Sequence, residues 1–272
     1  MTTRKSSSNV HLTQSVMRAL SILNCFTDQS PELRMTDISQ RLGLTTSLVS
    51  RLLATLEHDG FVQQDPATGL YRLGNAVLTL AGVALNHDQL RTEALREMQE
   101  MSREIGLGVN LSVLDNGTIF YLAHVETPEI PRPYTLIGRR NPLHATGMGK
   151  MLLAHLPADE QDALINEMDL HAYTVHTHTD ADELRAELSQ IQARGWGVEM
   201  EELALSRACI AGPVKDASGT VVGAMSLSGP LSQFKWEQRQ DELISAVIEI
   251  CDRVSMRLGY ITAPGMRPEL NR

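Results

Sequence analysis

The stretch LRMTDISQRLGLTTSLVSRLLATLEHDGFVQQDPATGLYRLG, from Leu33 to Gly74, constrains the fold more than any other part of the chain. Thr36 stands in a capping position, Ile38 and Leu42 lie four apart, and Gly43 follows where a helix closes in a left-handed conformation. A second amphipathic run starts at once, with Thr45 or Thr46 as its cap. Leu48, Val49, Leu52, Leu53 and Leu56 form its inward stripe, and Gly60 is its stop. Short helix, glycine turn and second helix make a helix-turn-helix. Directly behind, Phe61 to Gln64 and Leu70 to Leu73 read as two short strands joined by an Asp-Pro-Ala-Thr-Gly turn, which adds a wing. Upstream, Val16, Ala19, Leu20, Leu23 and Phe26 recur three and four apart, predicting a core-facing helix over Ser15 to Phe26. The polar, Ser-rich leader over residues 1–10, with Arg4 and Lys5, reads as a disordered arm.

A helix of this kind reads DNA with its first turns, and there stand Thr45, Thr46, Ser47, Ser50 and Arg51. Hydroxyls bond to phosphate or base, an arginine forks onto guanine or clamps a phosphate, and Arg72 in the wing faces a phosphate or the minor groove. The alternative is that the threonines only cap the helix and Arg51 is a solvated charge. A net charge of -9 is unusual for a phosphate-neutralising protein. Its distribution removes the difficulty. As far as Leu80, Arg4, Lys5, Arg18, Arg34, Arg41, Arg51 and Arg72 outnumber Asp28, Glu32, Asp37, Glu57, Asp59 and Asp65 by one, so the acidity lies in the remainder.

With 272 residues, of which 42% are hydrophobic, the chain is long enough for two domains. Cys25, Cys209 and Cys251 are far apart and form no CxxC pair, which suggests neither a disulfide framework nor a zinc knuckle. The absence of a leader pattern or a bilayer-length apolar run makes the cytoplasm the expected location, with no membrane partner.

Five stretches, SVMRALSILNCF, the segment quoted above, NPLHATGMGKMLLAHLP, ACIAGPVKDASG and MSLSGP, together resemble the IclR family of transcription regulators over most of Thr13 to Leu258. The resemblance implies an α+β chain: an N-terminal winged helix-turn-helix over 11–74, a helical linker over 75–90, and a GAF-like α/β effector-binding domain over 91–260 ahead of a tail. It further implies homodimers, often paired into homotetramers, and palindromic or repeated operator DNA. The effector would be a small organic or aromatic acid and no cofactor is expected. Members repress or activate, with repression the favoured sign here. Carried over by motif, the effector pocket would be lined by Gly147 and Met148, then Glu199, Cys209, Ser226 and Ser228. Two departures stand out: a small residue is common where this chain has Met148, and glycine where it has Ser206.

The residues themselves supply the rest of the reading. Asn75 to Gly106 reads as helix, breaking near Asn86 to Asp88, and serves as dimer seam or plain packed linker. Val109 to Leu114 and Ile119 to Val125 form a hairpin across Asp115-Asn116-Gly117. EIPRPYTLIGRRNPLHATG suggests a proline-bounded loop and strand. Helices follow over Met148 to Leu156, Asp159 to Met168 and Asp180 to Arg194. Strands near Val198, Cys209 to Val214 and Val221 to Ser228 precede a last helix from Gln233 to Leu258. The start of the HATGMGK helix favours an anion, although His144 and Met151 break the nucleotide-binding spacing; glycines used only for packing are the alternative. Ser226 and Ser228 alternate onto one strand face.

Catalysis is not expected. Cys209 lacks any Cys-His signature, and the His171, His176 and His178 cluster lacks a third ligand fixed by spacing, so no metal is assigned. Glu199, Glu201 and Glu202 read as surface and pocket edge. Two other classes stay open: a DNA-binding protein without effector, and a small-molecule enzyme with an N-terminal dimerisation domain.

Overall fold

The computed structural model describes residues 12–127 and 136–261. The expected arm, most of the tail and part of the proline-bounded loop lie outside the described residues. Two compact units result, the first ending at Asn86 and the second starting at His87.

The first unit contains α1 (Gln14–Leu23), α2 (Met35–Leu42), α3 (Thr46–His58), β1 (Val62–Gln64) and β2 (Tyr71–Leu73), followed by α4 (Asn75–His87). Ile22, Ile38, Val49, Leu53, Leu56 and Val62 make one core from three helices and the hairpin. Gly43 closes α2 at φ 62, as its place in the sequence requires. The start of α2 differs from expectation. The helix begins at Met35 with Arg34 in the capping position, and Asp37 Oδ2 accepts from the Arg34 N–H at 3.1 Å. Thr36 therefore stands inside the first turn and not at its cap. In the wing, Asp65 Oδ1 accepts from Ala67 N–H at 2.8 Å and Thr68 N–H at 3.2 Å, while Gly69 supplies φ 71. A Cβ on Gly74 would stand 2.2 Å from the Gly60 carbonyl oxygen, so glycine alone lets strand and helix end approach.

Helix α1 is shorter than its periodicity predicts and turns inward on a different arc. Ile22 is buried, with Ala19, Leu23 and Phe26 packed beside it, whereas Val16 and Leu20 are 54% and 55% exposed. Helix α4 is apolar yet contains no buried residue, and Leu78, Leu80 and Val83 are exposed.

The second unit is built on a six-stranded antiparallel sheet. Its elements are α5 (Gln89–Ile105), β3 (Gly108–Asp115), β4 (Thr118–Val125), β5 (Arg140–Asn141), α6 (Gly147–Ala154), α7 (Ala158–Glu167), α8 (Ala181–Arg194), β6 (Gly197–Met200), β7 (Arg207–Lys215), β8 (Val221–Pro230), α9 (Leu231–Phe234) and α10 (Trp236–Arg257). The strand order is β5-β4-β3-β8-β7-β6, which brings the first hairpin beside the last one. Asn116 (φ 50) and Gly117 (φ 73) both take the positive φ that the tight β3–β4 turn needs. Asp88 separates α4 from α5, its Oδ1 accepting from Arg91 N–H at 2.7 Å. The expected single last helix is interrupted by Lys235 at φ 44, leaving α9 as a short turn before α10.

Side-chain alternation gives the sheet two different faces. Ile210, Met225 and Leu227 join Met98 of α5 with Val247 and Ile250 of α10 in one core. Ala211 and Ala224 face Met151, Leu153, Leu184 and Leu188 of α6 and α8 in another. The second layer leaves space at the start of α6, and that space is the site described next.

Candidate functional site

A cavity of about 280 Å³ opens between the α6 N-terminus and the sheet. Gly147, Met148, Glu199, Cys209, Ser226 and Ser228 all line it, so strand register brings together residues from four separate segments. Cys209 pairs with Glu199 on one side and Ser228 on the other, and Ser226 pairs with Asn110.

The helix start is held by Thr146, whose Oγ1 accepts from Gly149 N–H at 3.1 Å and donates to Pro142 O at 2.8 Å. Both glycines are there for space. A Cβ on Gly147 would meet Cys209 Sγ at 2.8 Å, and one on Gly149 would meet Leu143 O at 2.3 Å. Met148 folds over the cavity, and Ser112 Oγ donates to its sulfur at 3.3 Å. The long side chain is therefore seated on the strand rather than left to swing.

Glu199 is buried, its Oε1 accepting from Glu202 N–H at 2.6 Å and Leu203 N–H at 3.2 Å. Burial raises its carboxyl above the usual range, against the lowering effect of those two bonds. Cys209 donates its thiol to Glu199 Oε2 at 3.6 Å, and burial followed by the Glu199 charge raises the thiol well above its ordinary value. Such a cysteine packs and donates; it is not a nucleophile.

Several wall residues escaped sequence reasoning: Asn110, Tyr121, Arg139 and Arg207 also line the cavity. Asn110 Nδ2 donates to Ser226 Oγ and Ser228 Oγ, each at 3.0 Å. Its Oδ1 lies 2.7 Å from His124 Nδ1, and His124 Nε2 lies 2.6 Å from Glu126 Oε2. The available signal was an asparagine inside an otherwise β-forming run, where the residue type is depleted.

The acidic run differs from expectation at Glu202. It is buried and bonds Lys150 Nζ at 2.5 Å, while Glu187 accepts from the same ammonium at 2.8 Å. Lys150 is 0% exposed. Burial alone depresses its ammonium, and the two carboxylates outweigh that to raise it; Glu202 is itself pushed up to about 7 by burial. The lysine of HATGMGK is thus committed to an ion cluster. His178 Nε2 lies 3.2 Å from Glu187 Oε2, and with Glu202 the three groups come within metal-ligating distance of one another. The Lys150 ammonium already occupies the cation position between the two carboxylates. His176 faces Glu201 at 3.9 Å and His171 presents its carbonyl to His144 at 3.0 Å, so the three histidines face different partners.

In the first unit, Thr45, Thr46, Ser47, Ser50 and Arg51 are all exposed at the start of α3. Thr45 precedes the helix but makes no side-chain cap bond, its Oγ1 lying 3.3 Å from Ser47 Oγ. Ser47, Ser50 and Arg51, spaced three and four apart, share one helix face. Arg72 is exposed on β2, with its Nη2 3.4 Å from Gln63 Oε1.

An exposed polar face on the second helix of a winged helix-turn-helix, joined in one chain to a curled α/β sheet with a cavity, defines a DNA-binding transcription regulator. The IclR helix-turn-helix domain matches residues 15–66 and the bacterial transcriptional regulator IclR C-terminal domain matches residues 82–256. The chain belongs to the IclR family. It is 35% identical over 215 residues to the HTH-type transcriptional regulator XynR of Escherichia coli K12, covering 79% of this chain and 85% of the relative. It is 34% identical to the glycerol operon regulatory protein of Streptomyces coelicolor, covering 90% and 96%. Among solved structures, an IclR homologue from Microbacterium hydrocarbonoxydans complexed with 4-hydroxybenzoate shares the fold at a TM-score of 0.78 and 23% identity, covering 90% of this chain and 98% of that one. These families and relatives are regulators, not enzymes. Among the described residues no helix is long and apolar enough to cross a membrane.

Proposed function

We propose that the chain is a ligand-responsive regulator that binds a palindromic operator and represses from it until a small organic or aromatic acid changes its DNA affinity. The observation carrying this reading is the convergence of Gly147, Met148, Glu199, Cys209, Ser226 and Ser228 on one cavity. A homologue of the same fold binds 4-hydroxybenzoate, which supports an aromatic acid as the first probe. Residues 11–74 are the DNA reader, 75–90 the linker and 91–260 the sensor. Thr45, Thr46, Ser47, Ser50 and Arg51 contact DNA, with Arg72 on a phosphate or in the minor groove. The exposed apolar face of α4 supports dimerisation along the linker, with dimers pairing further into tetramers. The mechanism is a population shift: the effector binds one arrangement of the paired DNA-reading heads better than the other.

A gel shift with the promoter region beside the gene, run against acetate, benzoate and 4-hydroxybenzoate, tests both halves. A salt-sensitive specific shift altered by one acid is expected. Arg51→Ala should weaken the shift about tenfold or more without affecting effector binding. Ser226→Ala with Ser228→Ala should do the reverse. Unchanged operator affinity in the first variant, or unchanged effector affinity in the second, removes those residues from their sites.

A further inference from the structure

His124 does not line the cavity, yet it governs what the cavity wall presents. Its ring sits on β4 directly across from Asn110 on β3, with a side chain 9% exposed. Nδ1 meets the Asn110 amide oxygen at 2.7 Å, and an amide oxygen only accepts, so Nδ1 carries the proton between them. Nε2 meets Glu126 Oε2 at 2.6 Å, which holds the ring from its other side.

This fixes the Asn110 amide. With Oδ1 engaged by His124, both Nδ2 protons point to Ser226 Oγ and Ser228 Oγ, each at 3.0 Å. Each serine oxygen then accepts from Asn110, and its own O–H is left to donate into the cavity. A neutral His124 with a bare Nδ1 would demand the opposite: the amide reversed, its oxygen facing the serines, and the serine protons drawn towards it.

We propose that Asn110, oriented by His124, sets the ligand class of the cavity, making the β8 wall a double O–H donor that receives an anionic or carbonyl end. The proposal rests on the reading of this cavity as the effector site. It also accommodates Glu199, whose carboxylate on the cavity wall would repel a ligand's anionic end. The carboxylate end lies against Ser226 and Ser228, and a hydroxyl or other donor lies against Glu199 on β6. Ligands with an acceptor at one end and a donor at the other fit; ligands with two donor ends do not.

Asn110 is the specificity-determining residue and His124 a positioning residue, so the test needs a readout that structural damage alone does not move. In the full-length protein with 15N-labelled histidine, the His124 Nδ1 should appear protonated, the signals being assigned by their loss in His124→Gln. The ratio of benzoate to benzamide affinity, measured by calorimetry, should fall about tenfold in His124→Leu. It should be largely retained in His124→Gln, which removes the ring but keeps an N–H for Asn110. A bare Nδ1, or an equal ratio in wild type and His124→Leu, overturns the proposal alone. Failure of benzoate, 4-hydroxybenzoate and acetate to bind the wild type overturns the effector reading and the proposal with it.

Discussion

Replacing Lys150 by Met keeps the aliphatic stem and removes an ammonium that is 0% exposed between Glu187 and Glu202. Removing one partner of a buried ion pair costs ~3–5 kcal/mol, because the remaining charge is left without solvent. Glu202 has an escape that Glu187 needs less. Burial already pushes the Glu202 carboxyl up to about 7, and the lysine is what restrains it. Without the lysine, Glu202 takes up a proton at neutral pH, while Glu187 remains partly exposed beside His178. The loss near pH 7 should therefore sit at the low end, about 3 kcal/mol.

The pH dependence distinguishes this account from simple cavity damage. Glu202 in the folded chain holds a proton that the unfolded chain releases near 4.5, so stability falls as pH rises from there to the folded value. In the wild type the fall ends near 7; in Lys150→Met it continues upward. The gap between the two proteins should widen by about 1.4 kcal/mol for each pH unit above that point. Lys150 itself contributes stability that is complete throughout this window and is lost only above the ordinary lysine range, since its value is raised. Urea unfolding followed by tryptophan fluorescence suits the measurement, because Trp196 and Trp236 both lie in the second unit. Adding Glu202→Leu should recover more than half of the loss. A loss below ~1 kcal/mol, or a gap that stays flat between about pH 6 and pH 8, would refute the buried-charge argument.

Other expectations follow from particular contacts. Gly147→Ala places a Cβ 2.8 Å from Cys209 Sγ, and should cost ~1–3 kcal/mol in the same unfolding assay; Cys209→Ala should restore most of it, and no recovery would mean the clash lies elsewhere. Because Cys25 and Cys251 are buried and the Cys209 thiol is raised by burial and by Glu199, a disulfide reagent should titrate less than one thiol in the native protein within minutes; rapid reaction of Cys209 would contradict that environment. Leu78→Asp with Val83→Asp should lower the solution mass measured by light scattering if α4 seals the dimer; an unchanged mass would assign the seam to another surface.

The DNA-reading unit was legible in the sequence because its determinants are local. Gly43, Gly60 and the Asp65–Gly69 turn act within a few residues of themselves, and so do Asn116 and Gly117 in the second unit. Local rules failed at two helix starts. Helix α2 starts at Met35, where Asp37 holds the Arg34 N–H, one position ahead of the Thr36 cap the sequence suggests, and Lys235 breaks the last helical run. The six motif-carried residues meet in the cavity, but their surroundings were illegible for a topological reason. Asn110 reaches Ser226 across 116 positions of sequence, and Lys150 reaches Glu202 across 52. No periodicity reports that β3 pairs with β8, so neither contact has a local signature. The exposure of Val16 and Leu20 is of the same kind: the pattern marks an apolar arc, and only tertiary packing decides how much of it the core covers.

Lys150 and Asn110, two of the buried polar residues of this unit, point to different partners. Lys150 starts in the same helical turn as Gly147 and Met148, yet its ammonium is spent on Glu187 and Glu202. On the proposed reading an effector carboxylate entering the cavity would consequently find no lysine to pair with. On that reading it would meet the guanidinium-bearing residues Arg139 and Arg207 on the wall together with neutral donors, the serine hydroxyls and the N–H groups at the start of α6. Neutral donors give up less hydration than an ammonium when they are buried, and they discriminate by direction rather than by net charge. As the proposed effector site, a cavity of about 280 Å³ built this way would select a small ligand by the placement of its oxygens. On that proposal the orientation of the Asn110 amide decides which end of a ligand the two serines receive, with Arg139 and Arg207 adding charge beside them.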